Sequence, residues 1–357
     1  MPWTEIPLND GTGRTIPSLA FGTWKMGNGD APITQVDQAL GVGFDHVDTA
    51  QAYRNEYEAG IAIRESGLSR ENVFVTTKYS GVDGKGIEQS LKESLANLGL
   101  SYVDLYLIHH PRLAVPDIPT AWKEMEELQA QGFIKSIGVS NFNVADLVVL
   151  LASAKVKPAA NQILLHPYVY AQQKPILDFA KKHGIVIEAY SALIPITSRP
   201  GGPVDKPVKA IGSRLGVSDD QVLLAWTKAK GAVVVTTSSK KERLLGYLNA
   251  GDIELTEDDI SAIDEAGARG YSPFPAITVP SFGSKQEEER VTYEATVPVN
   301  ARSRVHKALV WIVACALVLY LGYSALNAQR RPHAWQPVAG MSGKAKGGCQ
   351  LARDRDT

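Results

Sequence analysis

Cysteine is nearly absent from this chain, with two residues in 357, Cys315 and Cys349. Both lie near the C-terminal end, so no disulfide framework holds the rest together, and a reducing compartment fits. Charge of one sign is missing too. Lys and Arg number 37 against 38 Asp and Glu, a formal net charge of −1 that offers nucleic acid no basic field. The opening MPWTEIPLND has neither the basic start nor the apolar stretch of a signal peptide. Both usual Gly-rich phosphate motifs, G-x-G-x-x-G and G-x-x-x-x-G-K-[ST], are missing. No H-E-x-x-H or C-x-x-C supplies metal-ligand spacing, so no metal site is expected, and no G-x-S-x-G marks a nucleophile elbow.

What the chain does have is a repeating pattern. Short apolar runs rich in β-branched residues recur at 19–24, 44–50, 73–78, 103–109, 134–140, 159–166, 185–191 and 232–238. Helical patterns lie between them. Over 87–98, Ile87, Leu91, Leu95 and Leu98 fall on one face, and similar patterns cover 118–132, 144–155, 174–184 and 218–231. In the last, Ser218 is placed as an N-cap and Gly231 as a stop. Eight strands alternating with helices predict an α/β fold, a closed (β/α)8 TIM barrel, over residues 1–281. The turn-forming NDGTG within the first 18 residues predicts a β-hairpin ahead of it. Residues 282–304 read as a polar linker.

The C-terminal part differs in kind. Between Lys307 and Arg330, residues 308–329 form a run of 22 without a charge, ALVWIVACALVLYLGYSALNAQ. As a helix it would span roughly 33 Å, against about 30 Å for a bilayer core. It has no polar face, and Trp311, Tyr320 and Tyr323 are suited to membrane interfaces. A single transmembrane helix over 305–329 is therefore expected, with the lipid bilayer as a partner and a short basic tail over 330–357. The alternatives are a buried helix of the soluble fold or a non-native extension. With no N-terminal signal, the large domain is expected in the cytoplasm, anchored by this C-terminal helix, or simply cytoplasmic if the extension is not native.

In such barrels chemistry gathers at the C-terminal ends of the strands. This chain places Asp48, Lys78, His109 with His110, Ser140 with Asn141, Gln162, Tyr190 and Ser238 there. Tyr53 lies just beyond, in GFDHVDTAQAYRNE, where a helix is expected to open. A phenol is a weak acid, with an ordinary pKa of about 10. A nearby Lys ammonium lowers that value, an Asp keeps the Lys charged, and an imidazole orients a carbonyl oxygen. Such a set suits protonation of a carbonyl oxygen as hydride reaches its carbon, hence carbonyl reduction with a nicotinamide. Singly, each residue has a plainer reading: Lys78 a solvated strand end, His109 a rim histidine, Asp48 a turn acid, Tyr190 packing. Their joint placement is what favours chemistry.

These stretches resemble the aldo-keto reductase family over roughly residues 5–275. GFDHVDTAQAYRNE is similar to the family's G-[FY]-R-x-[IL]-D-T-A-x-x-Y-x-N-E signature, VTTK to its lysine motif and DLYLIHHP to D-L-Y-L-I-H-W-P. IGVSNFN, NQILLHP and EAYS also correspond. The resemblance implies that Tyr53 is the general acid, that Asp48 and Lys78 tune it, and that His109 orients the substrate. His110 stands where the family usually has Trp. Ser140, Asn141 and Gln162 are implied to hold the nicotinamide carboxamide, with Tyr190 stacked on the ring. Thr23, Asp48, Ser191, Leu193, Ser238 and Arg243 are implied further cofactor residues. Trp24, Tyr79, His109 and His110 are implied to line the pocket for a small-molecule carbonyl substrate.

Three departures matter. Near the adenosine 2′-phosphate, where members commonly read I-P-K-S-x-x-x-x-R-x-x-E-N, this chain reads TTSSKKERLLGY. Ser238 and Arg243 align, but Thr237 takes the lysine position and Gly246 and Tyr247 take the Glu-Asn positions. Arg243 still favours NADPH, with NADH not excluded. YSALIPIT departs from the common Y-S-P-L-G, and YSPFPAITVPSFGSK replaces the family's C-terminal substrate loop. Two further readings stand beside reductase: an alcohol dehydrogenase using the same site in reverse, and a cofactor-binding regulatory subunit of a membrane protein. Oligomeric state and physiological substrate are not legible in the sequence.

Overall fold

The computed structural model describes residues 3–270. The linker 282–304, the apolar run 308–329, the tail and both cysteines lie outside the described residues. Among the described residues, no helix is long and apolar enough to cross a membrane.

A hairpin comes first. Strand β1 (Glu5–Pro7) pairs antiparallel with β2 (Thr15–Pro17), with Ile6 opposite Ile16. Its turn is the predicted NDGTG segment, where Gly11 and Gly13 take left-handed φ values of 89° and 72°. Asp10 Oδ1 fixes it by accepting from the Thr12 amide at 2.9 Å and hydroxyl at 2.6 Å. Eight parallel strands then follow: β3 (Leu19–Gly22), β4 (His46–Asp48), β5 (Phe74–Tyr79), β6 (Val103–Ile108), β7 (Ile134–Ser140), β8 (Ala160–Leu164), β9 (Val186–Tyr190) and β10 (Val233–Thr236). Each pairs with the next, and β10 closes the barrel on β3. All eight fall on the runs picked out in the sequence, most of them shorter at the ends.

Helices α1 (Asp30–Val42), α2 (Glu56–Glu65), α3 (Ile87–Leu98), α4 (Ile118–Ala130), α5 (Val144–Ser153) and α6 (Tyr170–His183) fill the successive crossovers. The long interval before β10 holds α7 (Ile194–Thr197), α8 (Asp205–Leu215) and α9 (Asp219–Ala229). Ser218 does cap α9, in a capping box with Gln221. Two more helices, α10 (Lys241–Asn249) and α11 (Glu257–Ala268), follow the last strand.

Strand alternation decides what the barrel encloses. Phe74, Leu105, Leu107, Ala160, Val186 and Val233 form an inner apolar cluster, whereas Val47, Val75, Tyr106, Ile108, Ile137 and Val139 pack outward against the helices. Burying a side chain such as Leu105 or Leu107 contributes about 1.5–3 kcal/mol. Leu8 and Ile16 of the hairpin join the inner cluster and close the N-terminal end of the barrel. His46 continues this interior as a neutral core histidine. Its Nε2 lies 2.9 Å from Thr76 Oγ1, and burial pulls its pKa down to about 4. Toward the other end the same inward phase turns polar: Asp48 on β4, Lys78 on β5, His109 just past β6, Ser140 on β7, Gln162 on β8, and Glu188 and Tyr190 on β9.

Candidate active site

The inward phase places Asp48 and Lys78 on adjacent strands, in a layer that water does not reach. Lys78 is fully buried and Asp48 is 2% exposed. Lys78 Nζ donates to Asp48 Oδ1 at 2.7 Å, to Asp48 Oδ2 at 2.8 Å and to the Thr49 carbonyl at 2.9 Å, and reaches Tyr53 Oη at 3.4 Å. Burial lowers the pKa of the ammonium, but the charge and hydrogen bonds of Asp48, with smaller contributions from Tyr53 and Glu188, together more than offset it and push the Lys78 pKa up to about 12. Lys78 is thus a fixed positive charge beneath the phenol.

Tyr53 sits in a single 3-10 turn, Gln51–Tyr53, and not in the first turn of a helix as the sequence suggested. Arg54, at φ 58°, breaks the turn, and α2 begins only at Glu56. Asn55 makes this possible, and sequence reasoning gave it no role. Its Nδ2 donates to the carbonyls of Thr23 (2.9 Å) and Gly27 (3.1 Å), tying the loop after β3 to the start of α2. Thr23, a predicted cofactor residue, is fully buried, with its hydroxyl between Thr49 Oγ1 (2.9 Å) and Asn55 Oδ1 (3.0 Å). The Tyr53 phenol also departs from expectation. Burial raises its pKa more than the Lys78 charge lowers it, so the phenol keeps its proton at neutral pH.

His109 meets Tyr53 edge-on, with ring centroids 5.7 Å apart. Burial, reinforced by the Lys78 charge, brings its pKa down to about 3, so the imidazole is neutral. Its Nδ1 lies 2.8 Å from Ser80 Oγ. When Ser80 donates this bond, the ring hydrogen resides on Nε2 as the donor available to a carbonyl oxygen. Ser80 is a second residue the sequence reading passed over, and the signal was there: it follows Lys78 by two in the inward phase. Tyr79, expected in the substrate pocket, belongs to the opposite phase. It is 8% exposed, packs in the outer core and donates its hydroxyl to the Lys85 carbonyl at 3.1 Å, which removes it from the pocket. His110 lies just outside the barrel, where its Nδ1 accepts from the Arg112 amide at 3.3 Å. Trp24, 53% exposed on the loop after β3, and Val115, 71% exposed on the loop after β6, offer apolar surface at this end of the barrel.

The residues expected to hold a nicotinamide form one connected group. Tyr190 Oη donates to Asn141 Oδ1 at 2.8 Å, and Asn141 Nδ2 reaches the His109 carbonyl and Ser140 Oγ, both at 3.0 Å. Asn141 holds φ 62°, the left-handed backbone Asn tolerates, and Ser191 after β9 holds φ 63°. Gln162 Nε2 donates to Asp48 Oδ2 at 2.8 Å and to Glu188 Oε2 at 3.1 Å. Both amide hydrogens are thereby directed at carboxyl groups, leaving the carbonyl end of Gln162 as the acceptor for a ligand N–H. Amides, hydroxyls and a phenol at one rim fit an aromatic carboxamide such as nicotinamide. Leu193 is partly buried against the core, and buried Ser238 accepts from the Lys240 amide at 3.1 Å. Arg243 pairs with Asp220.

Glu188 went unremarked within the EAYS stretch. It is fully buried, and burial together with the Asp48 charge pushes its pKa up to about 8, so it is protonated at neutral pH. The layer therefore holds one positive and one negative charge and no third. Among the described residues, no group of three or more His, Cys, Asp or Glu is placed to hold a metal ion.

Comparison with known proteins agrees with this geometry. The model of the aldo/keto reductase family matches residues 18–268, and the chain belongs to that family. It is 40% identical over 265 residues to an NAD/NADP-dependent indole-3-acetaldehyde reductase of Schizosaccharomyces pombe, covering 71% of this chain and 91% of the relative. It is 36% identical over 274 residues to the methylglyoxal reductase DkgA of Escherichia coli, covering 76% and 97%. Among solved structures, a Brucella melitensis aldo/keto reductase aligns with a TM-score of 0.66 at 36% identity, over 74% of this chain and 99% of that one. A Bombyx mori aldo-keto reductase in complex with NADP aligns with a TM-score of 0.68 at 32% identity, over 74% and 92%.

Proposed function

We propose that this protein reduces an aldehyde or ketone to the alcohol with NADPH or NADH, and that Tyr53 is the proton donor. The observation that carries this reading is the buried line Asp48–Lys78–Tyr53, with the neutral His109 ring against the phenol. Ser140, Asn141, Gln162 and Tyr190 would hold the nicotinamide end of the cofactor, and Ser238 and Arg243 would hold its 2′-phosphate. When bound, the reduced cofactor supplies hydride to the carbonyl carbon. His109 Nε2–H and Tyr53 Oη–H donate to the carbonyl oxygen, and the Tyr53 proton moves onto that oxygen as negative charge builds there. The phenolate left behind is stabilised by the Lys78 ammonium until solvent reprotonates it. Electrons and protons balance: one hydride and one proton convert C=O to CH–OH.

The Tyr53 phenol, whose pKa burial raises, keeps the proton that carbonyl reduction requires of it. The complete four-residue set, each member held by at least one partner, supports an enzyme over a purely regulatory module. Exposed Trp24 and Val115 support an apolar aldehyde, in line with the aldehyde reductases among the similar proteins. The uncharged run 308–329 supports a tether to a bilayer. Incubating the full chain with NADPH or NADH and a panel of aldehydes and ketones, with product identification, tests the reading. Alcohol formation coupled to cofactor oxidation is expected; cofactor binding without turnover of any carbonyl would replace it with the regulatory reading.

A further inference from the structure

We propose that Asp220 sets the coenzyme preference of this protein by competing with the adenosine 2′-phosphate for Arg243. The inference rests on the functional reading above and concerns a residue that reading does not use. Asp220 is the second residue of α9, and Arg243 lies in the first turn of α10. Asp220 Oδ2 accepts from Arg243 Nε at 3.2 Å and lies 3.1 Å from Arg243 Nη2. Its other oxygen is held as well: Oδ1 accepts from the Gln221 amide at 3.0 Å and from the Ser218 hydroxyl. A carboxylate pinned at both oxygens does not swing aside. Arg243 is also backed by Tyr247, whose ring centroid lies 5.7 Å from the guanidinium carbon.

The remaining residues around Arg243 sharpen the point. Thr237, which stands at the aligned lysine position, brings no charge, and Lys240 and Lys241 are exposed cations of little fixed geometry. The one well-placed guanidinium is therefore already neutralised. A phosphate dianion arriving there must share Arg243 with a fixed carboxylate or break the pair, and the two anions repel. An unphosphorylated ribose presents an uncharged hydroxyl and meets neither cost. Asp220 thus narrows the advantage that Arg243 alone would give NADPH.

The test is calorimetric titration of NADPH, NADH, 2′,5′-ADP and 5′-ADP into the full chain, comparing wild type with Asp220→Asn. The same titrations on Asp219→Asn, one residue away on the same helix, control for net charge. Asparagine keeps the oxygen that accepts from Gln221 and removes the charge. The pair is partly exposed, so an effect of about fivefold is expected, the scale of a surface ion pair. NADPH and 2′,5′-ADP should tighten by that factor in Asp220→Asn, with NADH and 5′-ADP nearly unchanged and Asp219→Asn like wild type. An unchanged NADPH-to-NADH affinity ratio, or weaker NADPH binding, overturns the proposal, since Asp220 would then be neutral or merely orient Arg243. Asp220→Ser repeats the measurement if the Asn variant does not fold. A wild type that binds neither dinucleotide would sink the functional reading and this inference with it. Binding of both with no shift in ratio sinks the inference alone.

Discussion

Ser80 Oγ lies 2.8 Å from Nδ1 of His109, on the neighbouring strand end. As donor to Nδ1, this hydroxyl leaves the ring hydrogen on Nε2. Its own position is set by the Ala52 amide, which donates to Oγ at 3.3 Å from the turn that carries Tyr53. The turn that carries the proton donor and the orienting ring are thus connected through Ser80.

Ser80→Ala should lower kcat/KM for carbonyl reduction by about three- to tenfold, the equivalent of one hydrogen bond of about 1 kcal/mol. Cofactor affinity should be unchanged, and Ser80→Thr, which keeps the hydroxyl, should restore most of the loss. A Ser80→Ala protein with normal kcat/KM, or one that Thr does not rescue, would show that His109 is oriented by something else.

Glu188 makes stability depend on pH in a defined direction. Its folded pKa of about 8 lies above the ordinary 4.5. Between those values the folded protein holds a proton that the unfolded chain has released. Stability therefore falls as pH rises from about 4.5 and levels off above about 8. Glu188→Gln keeps an acceptor for Gln162 and removes the titration. Urea denaturation at pH 5, 7 and 9 should show the variant gaining on wild type as pH rises. The contribution of buried His46 and His109, destabilising on the acid side, cancels in this difference. A gap independent of pH would mean that Glu188 is charged throughout or not buried as described.

Two helix glycines make a paired test of the packing. A Cβ at Gly60 in α2 would lie 2.3 Å from the Leu98 carbonyl oxygen and 2.6 Å from the Leu98 Cα, both backbone atoms of α3. Gly60→Ala should therefore destabilise by at least about 1–3 kcal/mol, the usual range for overpacking. Gly41 in α1 is exposed, and a Cβ there meets nothing within 4 Å. Gly41→Ala should stabilise by about 0.5–1 kcal/mol. Equal effects in thermal denaturation would contradict the close α2–α3 approach.

The barrel was legible because its strands are dense β-branched runs at near-even spacing, and a parallel strand buried on both faces needs nothing subtler. Asp48, Lys78 and His109 were legible for the same reason, each lying at or near the end of such a run. The misreadings have separate physical causes. Tyr79 was assigned to the pocket from the family resemblance, and Ser80 passed over, without regard to strand phase. Tyr53 was put at a helix start because Arg54, the residue that takes the left-handed backbone, has no propensity that announces it. Glu188 resembles any strand glutamate until Gln162 and Asp48 are brought beside it by pairings 26 and 114 residues apart in sequence. Asp220 and Arg243 likewise meet only because α9 and α10 pack together.

The most direct test of the account is single-turnover reduction of an aldehyde by the NADPH-loaded full chain, wild type against Tyr53→Phe. Phenylalanine removes one oxygen and leaves Lys78 paired to Asp48. The account predicts unchanged NADPH binding and a reduction rate lower by about two to four orders of magnitude, the usual contribution of a positioned general acid. A Tyr53→Phe protein that reduces the aldehyde at the wild-type rate would show that the proton comes from elsewhere.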